Sequence, residues 1–199
     1  FVKGVPLKMM LVEGGITDSG SVLHDYYIGQ TEVTKQLWEA VMNNNTSTVK
    51  DKNKPVAGIS WVECKRFIAR INETTGLDFR LPYETEWEYA ARGGKKSEGY
   101  KFAGSNNLDE VAWYDCPQGS VDVAKKNPNE LGLYDMVGNV WELCDNDCDG
   151  NRLSPKDLTL PQNTEVVARG GGWYSRVDRC NIDSRACHKP EYGKEFIMI

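Results

Sequence analysis

The stretch Leu131-Gly132-Leu133-Tyr134-Asp135-Met136-Val137-Gly138-Asn139-Val140-Trp141-Glu142 constrains this chain more than any other. A strand-like run meets Asp135, turns at Gly138-Asn139 and closes on Glu142. Two carboxylates therefore bracket a glycine turn. Hard cations such as calcium take several oxygen ligands, and carboxylates with turn carbonyls supply them. Asp135 and Glu142 could pinch a Ca2+ together with the carbonyls of Gly138 and Val140. A solvated turn is the plain alternative, because short acid-glycine-acid turns are common. The 19 glycines and 6 tryptophans of the chain suit a loop-rich fold pinned by aromatics better than a helical bundle.

A length of 199 residues is enough for one domain with a real core, and residues 1–199 read as a single domain. The formal net charge of -5 and pI near 5.2 argue against a nucleic-acid partner, which would need a basic face. The chain has no apolar run of about 18 residues, so no membrane-spanning helix is expected. Six cysteines, Cys64, Cys116, Cys144, Cys148, Cys180 and Cys187, allow up to three disulfides in about 15 connectivities. The spacings contain no CxxC, and the only histidines are His24 and His188, so a zinc site has little support. Cysteine content points to export, to the periplasm or cell surface. No targeting segment stands before Phe1, and the expectation is that one has been trimmed away.

Along the chain, Pro6 to Glu13 alternates as a strand, and Tyr26-Tyr27-Ile28 reads as a second. Thr31-Glu32-Val33-Thr34 opens a helix that carries Leu37, Trp38 and Val41 on one face and stops at Asn43-Asn44-Asn45. Ser60 to Glu63 is a capping box, and Gly76 stands where a helix C-cap belongs. Thr85 and Glu88 suggest a second box for a short helix ending at Gly93-Gly94, with Trp87 and Ala91 inward. Val111 to Tyr114 reads as a short strand in a long irregular stretch, where Glu110 and Asp115 are candidates for a second cation. Cys144 to Asp149 reads as a solvated acidic loop, Val166 to Arg169 as a strand, and Phe196 to Ile199 as the last strand.

Three stretches, RLPYETEWEYAARGG, NELGLYDMVGNVWELC and VARGGGW, together resemble the sulfatase-modifying-factor family, whose founder is the formylglycine-generating enzyme. YYIGQTEVTKQLWEAVM and SWVECKRFIARIN resemble its N-terminal region and first capped helix. The resemblance runs from about Leu7 to Cys187. It implies an α+β fold related to C-type lectins, with few short helices, short twisted strands and much irregular backbone. It also implies calcium, with Asp135 and Glu142 ligating by side chain and Gly138 and Val140 by carbonyl. The family's other calcium site would fall near Glu110 to Asp115, where an acid stands in place of the usual asparagine. The Gly-Phe-Arg strand that closes family members is missing from the end of the chain.

The founding enzymes oxidise a sulfatase cysteine to formylglycine with copper and O2, and two thiols hold the Cu(I). Carried onto this chain, the first thiol position is Ser175 and the second is Cys180. One thiolate cannot form a two-sulfur site, and a serine hydroxyl is a poor ligand for a soft ion. Copper and the oxidase chemistry are therefore not expected. Cys180 reads as buried or disulfide-bonded, with a divergent copper oxidase as the alternative. The main expectation is a monomeric, non-catalytic binding or surface module of bacterial origin. Its protein or glycan ligand would meet residues 173–190, through Trp173, Tyr174, Arg176, Asp178, Arg179, Asn181, Asp183 and Arg185.

Overall fold

The computed structural model describes residues 1–44, 51–154, 156, 158–192 and the backbone of 196–197. Four α-helices, two short 3-10 helices and six strands are described, none longer than 15 residues, and irregular backbone joins them. The first two strands, β1 (Met9–Val12) and β2 (Tyr26–Gly29), form an antiparallel ribbon. Its inward face sends Val12 and Ile28 into the core, while the cross-strand pair Leu11 and Tyr27 faces out, 45% and 65% exposed. The strand expected over 6–13 is thus shorter than its alternation suggested.

Helix α1 (Lys35–Met42) begins one turn later than the Thr31–Thr34 signal implied. Thr34 is its N-cap, with Oγ1 accepting from Leu37 N–H, and Asn43 ends it in the left-handed region. Helix α2 (Trp61–Thr75) carries the expected box: Glu63 N–H donates to Ser60 Oγ, and Ser60 N–H donates to Glu63 Oε2. Gly76 caps its other end at φ 70°. The expected stripe of Cys64, Phe67, Ile68 and Ile71 is buried, and Trp38 of α1 stacks on Phe67 at 5.0 Å.

Helix α3 (Glu84–Ala91) corrects the Thr85–Glu88 reading. Tyr83 is the extended residue before the helix, and Glu86, not Glu88, reaches back to accept its N–H at 2.8 Å. Arg80 holds the same carboxylate through two bonds of 2.7 Å, which biases Glu86 toward that role. Trp87 and Ala91 are fully buried as expected. The strand expected at 111–114 is absent: Leu108–Val111 is a one-turn helix, α4, because Asn107 Oδ1 caps Asp109 N–H.

The second sheet has the order β5-β4-β3-β6, from β3 (Trp141–Asp147), β4 (Val166–Arg169), β5 (Arg185–His188) and β6 (Phe196–Ile197). β6 lies parallel to β3 and takes the closing place, while residues 198–199 of the expected strand fall outside the described residues. The sheet separates two cores. Leu143, Val166 and Ala168 face the α1–α2 side, and Cys144 and Val167 face the Trp87 side. The period of two along β3 and β4 follows from the pleat.

The acidic segment Cys144–Asp149 is therefore not a solvated loop. Its first four residues belong to β3, and Cys144, Asp145 and Asn146 are buried. Asp145 is tolerated there because Lys65 of α2, equally buried, places Nζ 2.9–3.0 Å from both carboxylate oxygens. Lys65 also lies 4.9 Å from the Trp61 ring. Cys148, at the end of the strand, is disulfide-bonded to Cys187 of β5, and Cys64, Cys116, Cys144 and Cys180 are free.

Candidate functional site

The turn after Tyr134 carries both Asp135 and Glu142 into the protein interior. Both carboxylates are buried, at 3% and 1% exposure. Asp135 Oδ2 accepts from Ala124 N–H at 2.8 Å, and Glu142 Oε2 accepts from the Trp87 indole. Asp135 Oδ1 and Glu142 Oε1 remain buried with no hydrogen-bond partner among the described residues. No described lysine or arginine pairs with either. Burial pushes the Asp135 carboxyl up to about 6, against the opposing Ala124 N–H. Burial also raises Glu142 well above the carboxylate range, with the Trp87 indole opposing and the nearby Asp135 adding. Unpaired buried carboxylate oxygens are costly. A hard cation is a partner that could satisfy both.

Among the described residues no three His, Cys, Asp or Glu side chains converge as a metal-holding group. A cation here would therefore use two carboxylates and complete its shell with backbone carbonyls. The turn is tightly built. Gly138 has φ 82°, and a Cβ on it would stand 2.5 Å from the Trp113 carbonyl oxygen. Asn139 N–H donates to that same oxygen at 2.8 Å. The segment after α4 thus lies directly on the glycine turn. Asp135 and Asn139 are also in the left-handed region, at φ 58° and 51°. Asn and Asp tolerate that region better than other residues with a Cβ.

A third buried carboxylate was not recognised from the sequence. Glu32 is 1% exposed, accepts from Asn139 Nδ2 at 2.8 Å and accepts from Val140 N–H at 3.1 Å. Burial raises its carboxyl most, followed by repulsion from Asp135 and Glu142. Both Glu32 oxygens are engaged by donors, so it orients the turn. The signal for it was an acid between the Tyr26–Ile28 strand and the Thr34 cap, which the sequence reading absorbed into the start of a helix. The other cation candidates fare differently. Glu110 accepts from Ser105 Oγ at 2.6 Å, and Asp115 is an exposed turn residue at φ 44°.

The second thiol loop adjoins the carboxylate turn. Trp173 N–H donates to Asn139 O at 2.6 Å, and Asp115 and Cys116 N–H donate to the Ser175 and Trp173 carbonyls. Gly172 N–H donates to Ser175 Oγ at 3.0 Å, and Cys180 Sγ lies 3.7 Å from Gly172 O. Ser175 and Cys180 therefore flank one glycine. A Cβ on Gly171 would meet Arg179 O at 2.4 Å and Cys180 Sγ at 3.0 Å. The glycine run is what lets the loop close.

The "Sulfatase-modifying factor enzyme 1-like domain" family matches residues 7–197. The chain belongs to this family. Among relatives, it is 32% identical to "Chaperone protein LppX" of Paenibacillus barcinonensis, over 87% of this chain and 81% of that protein. It is 27% identical to the formylglycine-generating enzyme of Thermomonospora curvata, over 77% of this chain but only 57% of the enzyme. It is 26% identical to "Inactive C-alpha-formylglycine-generating enzyme 2" of Bos taurus, over 82% of this chain and 54% of that protein. Among solved structures, Treponema denticola variable protein 1 superposes with a TM-score of 0.82 at 25% identity, covering 100% of this chain and 96% of that one. PvdO from Pseudomonas aeruginosa gives 0.68 at 18% identity, covering 98% and 90%, a likeness of fold alone. These neighbours bear out the α+β reading with few helices and much irregular backbone.

At the two positions that the resemblance assigns to the thiols stand Ser175, buried and held by Gly172, and Cys180, fully buried. Burial pushes the Cys180 thiol up to about 12, offset by its contact with Gly172. Thiolate, not thiol, binds soft metals and attacks electrophiles. Iodoacetamide at pH 8 is expected to label Cys116, which is partly exposed, and to leave Cys180 unlabelled until the protein is denatured. Peptide mass spectrometry reads the result, and rapid labelling of folded Cys180 would contradict a protonated, enclosed thiol.

The eight candidate ligand residues divide. Tyr174, Arg176, Asp178 and Arg179 are exposed, and Arg176 and Asp178 pair loosely at 4.0 Å. Trp173 is half-buried and packs edge-on to Tyr174 at 5.3 Å. Asn181 Nδ2 donates to Asp178 O, bracing the loop. Asp183 holds Arg92, the C-cap of α3, at 2.5 Å, and Arg185 holds Glu84 at 2.7 Å. Arg169 holds the same Glu84 oxygen at 2.5 Å, so the last two candidates belong to a network joining α3 to the sheet.

Proposed function

We propose that this chain is a non-catalytic, calcium-braced binding module of the sulfatase-modifying-factor family, exported from the cell. The observation that carries the proposal is Ser175 at the first thiol position, its Oγ already engaged by Gly172 N–H. Two thiolates are the natural ligands of Cu(I), and this loop offers one enclosed thiol. The family includes a relative called inactive and one called a chaperone protein, which agrees with a role other than oxidation. Calcium would be held by Asp135, Glu142 and the carbonyls of Gly138 and Val140. When bound, it would supply positive charge to two otherwise unsatisfied carboxylates and stiffen the turn. The Cys148–Cys187 disulfide favours an oxidising compartment. The protein or glycan ligand would meet Tyr174, Arg176, Asp178 and Arg179, which stand out from residues 173–190.

The test is a cysteine peptide with a sulfatase-type Cys-x-Pro-x-Arg motif, incubated with the protein, Cu(I), O2 and a thiol reductant. Mass spectrometry is expected to return the peptide unmodified, while an active formylglycine-generating enzyme converts it in parallel. A formylglycine product that disappears in Cys180→Ala would make the chain an oxidase.

A further inference from the structure

The ribbon formed by β1 and β2 has an open side. Gln30 N–H donates to Lys8 O, and the register pairs Met10 with Ile28 and Val12 with Tyr26. Antiparallel pairing alternates, so Tyr27 and Gly29 turn their N–H and C=O groups away from β1. Among the described residues no backbone hydrogen bond meets those outward groups. The edge carries neither lysine nor proline, which are common guards of an exposed edge.

A cavity of about 200 Å³ opens beside this edge. Met9 lines one end of it, and Leu37 of α1 with Phe67 and Ile71 of α2 form its apolar back. Two of its walls are runs of consecutive residues, the strand 26–29 and the irregular segment 78–82. Such walls suit an extended chain lying between them better than a compact molecule. The volume compares with an engineered cavity of roughly 150 Å³, lined by Leu, Ile and Phe, that stays dry and takes benzene. One bulky apolar side chain therefore fits. The exposed pair Leu11 and Tyr27 continues the apolar surface beyond the opening. At the rim, Glu86 is neutralised by Arg80, whereas Asp78 is exposed with no ion-pair partner among the described residues.

We infer that β2 accepts an extended polypeptide segment as an added strand, with one aromatic or leucine side chain in the cavity and a basic residue beside Asp78. Strand addition of this kind takes affinity from main-chain hydrogen bonds and specificity from pockets for alternate side chains. The inference rests on the reading of the chain as a binding module, and it names a site separate from residues 173–190.

The probe is a fluorescein-labelled peptide, Lys-Thr-Val-Phe-Val-Thr-Lys, followed by anisotropy against the full chain. Saturable binding is expected. Met9→Trp, which fills the opening from a partly exposed position, should weaken it at least tenfold. Tyr27→Pro removes one outward N–H without touching the β1 ladder and should do the same. Asp78→Lys should weaken the lysine peptide several-fold and favour the same peptide with glutamates at its ends. That reversal is a readout a folding defect cannot produce. A flat isotherm would overturn the proposal, as would equal affinity in wild type and Met9→Trp. A backbone N-methylated peptide binding as well as its parent would rule out strand addition. Binding of toluene but not of peptide would assign the cavity to a small apolar molecule. Self-association abolished by Met9→Trp would assign it to a second copy, and either result overturns the peptide assignment. Formylglycine formation in the preceding assay would end the non-catalytic reading without touching this isotherm. A flat isotherm would leave that reading standing.

Discussion

Lys65→Met is expected to lower the unfolding free energy by about 3–5 kcal/mol at pH 7, the usual cost of leaving a buried charge without its partner. At about 2–4 °C per kcal/mol for a chain of this size, the melting temperature falls by roughly 6–20 °C. The cost comes from Asp145, which sits fully buried in β3 and whose two carboxylate oxygens both accept from Lys65 Nζ. Burial holds the Asp145 carboxyl up at about 6, above the ordinary 3.8, even with Lys65 opposing. A raised acid gives stability that is full below the unfolded value and lost as pH rises through the folded one. Removing the lysine raises that carboxyl further. The deficit of Lys65→Met is therefore largest at neutral pH and shrinks below about pH 4, where Asp145 is protonated folded or unfolded. The double variant Lys65→Met/Asp145→Leu should recover most of the loss, because apolar replacement of a buried pair is often neutral. Thermal melts of the three proteins at pH 4 and pH 7 decide it. A pH-independent deficit would mean that lost packing, not charge, sets the cost.

Calcium is expected to raise the melting temperature of the wild type and to do nothing for Glu142→Gln. At free calcium about 100 times Kd, binding contributes about 2.7 kcal/mol, or roughly 5–11 °C. Glutamine keeps the shape of Glu142 and an oxygen for the Trp87 indole, but it removes the charge. Asp149→Asn, an exposed acid beyond β3, serves as the control and should respond like wild type. Scanning calorimetry in EDTA and in calcium reads all three. Superimposable wild-type melts in the two conditions would leave Asp135 Oδ1 and Glu142 Oε1 without a cation and remove calcium from the account.

What could be read from the chain alone depended on how far apart the interacting residues lie in it. The α2 capping box and the Asn43 and Gly76 stops are local, and local chemistry set them. Glu32 was missed because its partners, Asn139 and Val140, lie 107 and 108 residues away. An acid before a helix looks ordinary until the fold buries it. Asp145 was misplaced for a related reason: an acid-rich run reads as solvated unless its counter-charge is known, and Lys65 lies 80 residues away. The α3 cap was misread by two positions because Arg80 recruits Glu86, an interaction outside the four-residue box. Arg185 looked like a ligand contact because its partner, Glu84, is 101 residues away.

The hydrogen bond from Trp173 N–H to Asn139 O has one more consequence. It joins the turn between Asp135 and Glu142 to the base of the segment that exposes Tyr174 and residues 176–179. A ligand that prefers one geometry of Tyr174 thereby prefers one geometry of the turn. Thermodynamic linkage makes such a preference mutual: whatever factor calcium adds to ligand affinity, the ligand adds to calcium affinity. On the proposed reading of a calcium-braced binding module, scarce calcium would make the ligand leave sooner, so calcium concentration would set the strength of binding.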